Sequence, residues 1–225
     1  MIAADEIMPE GCLRKVTAVY DTLAEHSRLM LINCGGDSAD IAGEICGGSG
    51  FVFLCTEPVS WEVDYTPWKA DGLRKGEAFG GGADAYLKEL TEMILPAAAE
   101  KFSVDINSSA VCGYSLGGLF SLYAALNSGI FRSAASVSGS LWYKGWTEYL
   151  REKSENIRLA GCYISLGDTE GKSKNQLLKT VDDKTSECCK ILSAASDRFK
   201  FEYNSGGHFK DVAARMKKAV DFLSC

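Results

Sequence analysis

The sequence predicts a single α/β domain built on a doubly wound, mostly parallel sheet with helices on both faces. Three observations carry that prediction. Short continuous apolar runs, such as Leu29-Met30-Leu31-Ile32 and Phe51-Val52-Phe53-Leu54, recur along the chain, as expected of strands buried on both faces. Segments with apolar residues at helical spacing separate them, and that end-to-end alternation is the mark of a parallel sheet whose ligands bind beyond the carboxyl ends of its strands. The 225 residues suit one such domain, long enough to bury roughly 70 to 75 per cent of its unfolded surface. Residues 1–225 are therefore expected to form one unit.

After a polar start, residues 13–20 alternate and predict a strand. The run 29–34 predicts a buried strand ending in the loop Gly35-Gly36-Asp37, followed by a short helix over 39–45 and a second buried strand over 51–55. Residues 57–79 show no clear periodicity, and a loop of that length inside a compact domain is usually functional. Gly80-Gly81-Gly82 lacks the preceding strand and the lysine of a phosphate-binding loop, and is expected to lead into a helix capped near Asp84. Tyr86, Leu87, Leu90, Met93 and Ile94 share one face of that helix, which Pro96 should end or restart. Downstream, strands are expected over 109–113, 133–138, 162–166 and 199–203, and helices over 116–126, 175–195 and 210–223, with a loop and short helix across 139–150.

Composition narrows the function. A net charge of -6 without clustered Lys and Arg argues against a nucleic-acid partner; Lys172/Lys174 and Lys217-Lys218 are short enough to be solvated faces. No apolar run approaches the length of a membrane span, so no membrane partner is expected. Nine cysteines are an odd number, form no C-x-x-C pair and lie partly inside apolar runs, as Cys34, Cys55, Cys112 and Cys162 do. Reduced thiols fit better than a disulfide framework. The acidic stretch 1–14 lacks the basic and apolar regions of a signal peptide, and a cytoplasmic location is expected.

The chemistry points to Gly113-Tyr114-Ser115-Leu116-Gly117, a G-x-S-x-G elbow between an apolar run and a helical segment. At such a turn the Ser115 hydroxyl is exposed, and the amide of Leu116 at the helix N-terminus can stabilise a developing anion. A serine needs a base and the base an orienting carboxylate. Of the two histidines, His26 sits in a polar stretch and is expected at the surface, whereas His208 follows the last predicted strand in a glycine-rich turn. The carboxylate is sought in Gly167-Asp168-Thr169-Glu170, where a G-x-x-(D/E) pattern favours Glu170; Asp168 is the alternative acid, or else bonds local backbone amides as a turn former. A second oxyanion amide is sought in Cys34-Gly35-Gly36, with Gly35 as the choice among the three. Trp68 and Trp142 are candidates for the substrate pocket as much as for packing; Trp61, Tyr65 and Tyr143 are expected to pack, and Lys172, Lys174 and Asn175 to form a solvated helix end. No metal or cofactor is implied.

With these residues placed, the chain resembles the putative-esterase branch of the α/β-hydrolases, which includes enterochelin-type siderophore esterases, feruloyl esterases and S-formylglutathione hydrolase. The resemblance runs from about Leu29 to the last helix and rests on residues 61–68, 83–87, 113–120, 138–143, 165–170 and 207–209. It implies the α/β-hydrolase fold, Ser115 as nucleophile and His208 as base, with the acid less uniform. The chain departs from better-known members in its short N-terminus and in Asn33-Cys34-Gly35-Gly36, where many carry His-Gly or Asp-Gly. The expectation is a serine esterase acting on a small-molecule ester through an acyl-enzyme. A thioesterase or acyltransferase with the same triad is the alternative, and an inert hydrolase-fold binding module ranks below both.

Overall fold

The computed structural model describes all residues, Met1–Cys225. Ten strands and eight α-helices follow one another: β1 (Ile2–Ile7), β2 (Val16–Asp21), β3 (Arg28–Asn33), α1 (Ser38–Ile45), β4 (Phe51–Thr56), α2 (Trp61–Asp64), β5 (Lys69–Asp71), β6 (Ala78–Gly80), α3 (Ala83–Glu89), α4 (Leu95–Phe102), β7 (Ala110–Tyr114), α5 (Leu116–Ser128), β8 (Ser133–Val137), α6 (Trp146–Ser154), β9 (Leu159–Gly167), α7 (Val181–Ala194), β10 (Ser196–Asn204) and α8 (Val212–Ser224). Eight strands form one sheet in the order β1-β2-β4-β3-β7-β8-β9-β10, and β5 pairs only with β6. The pairs from β4 to β10 are parallel, while β1 on β2 and β2 on β4 are antiparallel. This is the mostly parallel, doubly wound sheet of the α/β-hydrolase fold.

Both faces of the sheet are covered because alternate side chains of each central strand are apolar. In β3, Leu29 and Leu31 enter one core while Met30 and Ile32 enter the other; in β4, Val52 and Leu54 oppose Phe51 and Phe53. The larger core joins the sheet to helices α3 to α7, and the smaller joins it to α1 and α8. Helix α5 is buried continuously from Leu116 to Leu126, which is why its sequence shows no polar stripe, and Gly129 at φ 68° ends it in a left-handed turn.

Several expectations are corrected. Strand β1 lies in the polar start, to which no element was assigned; only Ile7 is buried there, and an edge strand needs no continuous apolar run. Residues 57–79 are not one loop but hold α2, β5 and the start of β6. They are hidden from pattern analysis because each element is too short for a period. Asp84 lies inside the first turn of α3, whose N-cap is Gly82, and accepts a hydrogen bond from the Tyr123 hydroxyl. Pro96 restarts the helix, as expected, in the first turn of α4, and a π turn over Leu90–Ile94 links α3 to α4, taking up the ladder break that a residue without N–H imposes. Helix α7 starts at Val181 rather than 175, because Asn175 instead closes a turn by accepting the Leu177 N–H at 2.8 Å. His26 is half-buried, edge-on to Tyr20 at 5.6 Å.

Candidate active site

Residues at the carboxyl ends of β3, β7, β8, β9 and β10 meet at Ser115, between β7 and α5. Ser115 holds φ 58° and ψ -123°, backbone angles that cost on the order of 1–3 kcal/mol for a residue with a side chain. Its surroundings enforce them. A Cβ on Gly113 would stand 2.1 Å from the Gly117 carbonyl oxygen, and one on Gly117 would stand 2.0 Å from that of Asn33. Glycine at both positions lets β7, α5 and the end of β3 pass in contact. The Ser115 N–H donates to the Val137 carbonyl at 3.1 Å, and the Ser140 N–H to the Ser115 carbonyl at 3.0 Å, which fastens the turn to the end of β8.

His208 stands in the turn between β10 and α8, its Nε2 3.0 Å from Ser115 Oγ and its Nδ1 2.7 Å from Glu170 Oε2. The imidazole is 29% exposed against 6% for Glu170, so the hydroxyl end of the row meets solvent and the carboxylate end does not. An ionised carboxylate only accepts hydrogen bonds, which assigns the proton to Nδ1 and leaves Nε2 as acceptor for the serine O–H. Asp168, the alternative acid, accepts the Gly206 N–H at 2.7 Å and so braces the turn.

Glu170 is held from its other oxygen. Oε1 accepts from Ser138 Oγ at 2.7 Å, from the Gly167 N–H at 2.7 Å and from Arg215 Nη1 at 3.3 Å. Burial pushes the Glu170 carboxyl up, but the bonds from His208, Ser138 and Gly167 outweigh it and hold the group below its ordinary range. Arg215 is itself buried, with a side chain 2% exposed. It donates to Ser138 Oγ at 3.0 Å and, through Nη2, to the carbonyls of Ser205 at 3.1 Å and Gly207 at 3.0 Å. One guanidinium thus joins the acid to the turn that carries His208. The Tyr114 hydroxyl adds a bond to the His208 carbonyl.

Leu116 is the first residue of α5 and its N–H has no intrahelical carbonyl to reach. In the loop after β3, the Cys34 N–H donates to Ser38 Oγ at 2.9 Å. Gly35 lies next to it at φ 80°, where a Cβ would stand 2.9 Å from the Trp61 ring.

Two cavities, each about 540 Å³, border Ser115, and Trp142 lines both. Trp61 also lines both, against the expectation that it only packs. Trp68 lines neither: its indole donates to the Lys144 carbonyl at 2.9 Å and packs on Tyr143 and Tyr149, so its role is to anchor the loop before α6. Sequence reasoning also missed Arg215 and Ser138. Arg215 left a signal, since it falls on the apolar face of α8 with Met216, Ala219 and Leu223; a charge there needs a buried partner. No helix is long and apolar enough to cross a membrane, and no three His, Cys, Asp or Glu side chains group as a metal site would require.

Comparison with known proteins agrees with this architecture. The model of the family described as Putative esterase matches residues 52–222. The uncharacterized protein YbbA of Bacillus subtilis (strain 168) is 32% identical over 181 residues, covering 76% of this chain and 72% of that one. Among solved structures, the siderophore hydrolase EstA from Aspergillus nidulans superposes with a TM-score of 0.77 at 15% identity, over 99% of this chain and 94% of that one. An S-formylglutathione hydrolase from Agrobacterium tumefaciens gives 0.61 at 15% identity, over 100% and 94%. At such identities the structural likenesses establish the fold.

Proposed function

The chain belongs to the Putative esterase family and is a carboxylic ester hydrolase; from that premise we propose that it works through a Ser115–His208–Glu170 triad and an acyl-enzyme. Ser115 Oγ attacks the ester carbonyl carbon while His208 Nε2 takes its proton. The tetrahedral oxyanion is met by the N–H groups of Leu116 and Gly35. The imidazolium, steadied by Glu170 through Nδ1–H, returns the proton to the leaving alcohol as the C–O bond breaks. Water then attacks the acyl-serine, its proton passes to Nε2 and on to Ser115 Oγ, and the carboxylic acid is released.

The observation that carries this reading is the unbroken row of 3.0 Å and 2.7 Å contacts from Ser115 Oγ through the imidazole to Glu170. General-base assistance of this kind is worth about 10²–10⁴ in rate, and each oxyanion donor about 10²–10³. Gly35 is kept as second donor ahead of Cys34, whose N–H is already engaged by Ser38. All nine cysteines are unpaired, and burial pushes the Cys34 thiol up to about 12, which keeps it protonated and unreactive. That supports a reducing, cytoplasmic setting.

A fluorophosphonate probe tests the triad. It should label the wild-type protein at Ser115, located by peptide mass, and leave Ser115→Ala unlabelled. Labelling elsewhere, or none at all, would overturn the assignment.

A further inference from the structure

The two cavities beside Ser115 share Trp61, Leu73, Ser140 and Trp142, so both indoles stand along the partition between them. The cavities differ in which part of the proposed machinery they touch: His208 borders only the first, Leu116 only the second. In serine acyl transfer the leaving oxygen must lie within reach of the imidazole that protonates it. The acyl chain then extends to the other side of the serine, past the Leu116 amide.

On that basis, and resting on the triad reading above, we propose that the first cavity takes the alcohol half of the ester and the second the acyl half, the substrate class being esters of bulky, apolar, uncharged alcohols. Ile41, Leu178, Val181, Phe209 and Val212 give the first cavity an apolar lining. Phe209 is 89% exposed and stands edge-on to His208 at 5.0 Å. An aromatic left in water at the mouth of an apolar cavity gains by covering a ligand there. Neither cavity is lined by Lys or Arg, whereas Asp37 borders the first and Glu62 and Glu77 the second. Anionic alcohols, thiols and acyl groups would meet like charge on both sides. The roof is fixed in advance: Asn175 Nδ2 donates to the Leu73 carbonyl at 2.8 Å, tying the loop ahead of Leu178 to the one that carries Leu73. A cavity held open in this way selects by volume.

The test uses neutral esters of ethanol, 2-phenylethanol and 2-(2-naphthyl)ethanol, alcohols of similar acidity, each as acetate, butanoate and octanoate. Val212→Phe and Leu178→Trp narrow the first cavity, and Ala78→Phe narrows the second. The naphthylethyl-to-ethyl ratio of kcat/KM should fall by about tenfold or more in Val212→Phe and Leu178→Trp, a size effect usual for an apolar pocket. The octanoate-to-acetate ratio should fall in Ala78→Phe instead. Butanoyl-coenzyme A should react at least about 100-fold more slowly than the neutral S-(2-phenylethyl) thiobutanoate, because its phosphates face carboxylates. Fluorophosphonate labelling of each variant separates the two levels of the argument. If Ser115 is labelled but the two ratios respond the other way round, or neither moves, the partition is wrong and the triad stands. If wild-type Ser115 is not labelled, both fall.

Discussion

Two arginines with buried side chains, Arg14 and Arg215, differ in the charge that surrounds them. Arg14, ahead of β2, has a side chain 7% exposed and meets two carboxylates, Asp64 at 2.7 Å and Glu89 at 2.9 Å. Its guanidinium also lies 4.5 Å from the centre of the Tyr86 ring. Burial works against its charge, and the bonds to Glu89 and Asp64 more than offset that, so its pKa is raised. Arg215 meets a single carboxylate, Glu170, and that group is shared with His208; its remaining partners are hydroxyls and backbone carbonyls. The Arg14 cluster is closed and overcompensated, and it fastens α2 and α3 to the sheet. The Arg215 cluster is neutral in sum and has one carboxylate oxygen turned outward to an imidazole. The same side chain serves a clamp in one place and, in the proposed triad, a working pair in the other, and the partner's remaining valence decides which.

The largest effect should come from cutting the working pair at its outward oxygen. Glu170→Gln cannot accept the Nδ1–H as a carboxylate does, and kcat on p-nitrophenyl butanoate should fall by about 10³–10⁴, as when a triad acid is neutralised, with the urea midpoint reporting whether the fold survives. Next come the arginines themselves. Breaking a buried ion pair from one side costs about 3–5 kcal/mol, so Arg14→Met and Arg215→Met should both lower the urea midpoint. Only Arg215→Met should also lower kcat per folded molecule, by about 10-fold or more; equal kcat losses in the two would erase the distinction drawn here.

Acid should sharpen the contrast more gently. The Glu170 pKa is lowered on folding, so its stabilising contribution is fully present above the ordinary carboxylate range and is lost as pH falls through the lowered value. Urea midpoints followed below about pH 4.5 should therefore drop more steeply for wild type than for Glu170→Gln. The smallest effect belongs to the carboxylate that only braces the turn. Asp168→Ala forfeits one hydrogen bond to Gly206, about 1 kcal/mol, with kcat/KM on the same ester staying within about threefold.

What the sequence disclosed follows from what leaves a local trace. The strands β3, β4, β7 and β9 are apolar on both faces and stand out; β1 and the β5–β6 hairpin do not, since one is an edge and the other only three residues per strand. The turns that bring Ser115, His208 and Glu170 into contact left a local trace, since each is marked by glycine at a strand end. Trp61, expected only to pack, lines both cavities, and Trp68, offered to the pocket as much as to packing, lines neither; both lie in a stretch without period, and whether an indole faces a cavity or a neighbouring loop is fixed only by tertiary contacts. Arg215 left an unread trace as a misfit on an apolar stripe, and its partner left none, because Glu170 lies 45 positions away in the chain.

The contact between Ser115 and His208 spans 93 positions, and the arginine that steadies the histidine turn belongs to α8, packed against the smaller core. Catalytic competence should therefore be the last property regained when the unfolded chain is returned to water. The elbow draws on β3, β7, β8 and α5, all earlier in the chain than α8, whereas the imidazole takes its place only once the final helix has docked. Recovery of turnover during refolding would then time that docking, and a lag behind the return of helical circular dichroism would measure how late it comes.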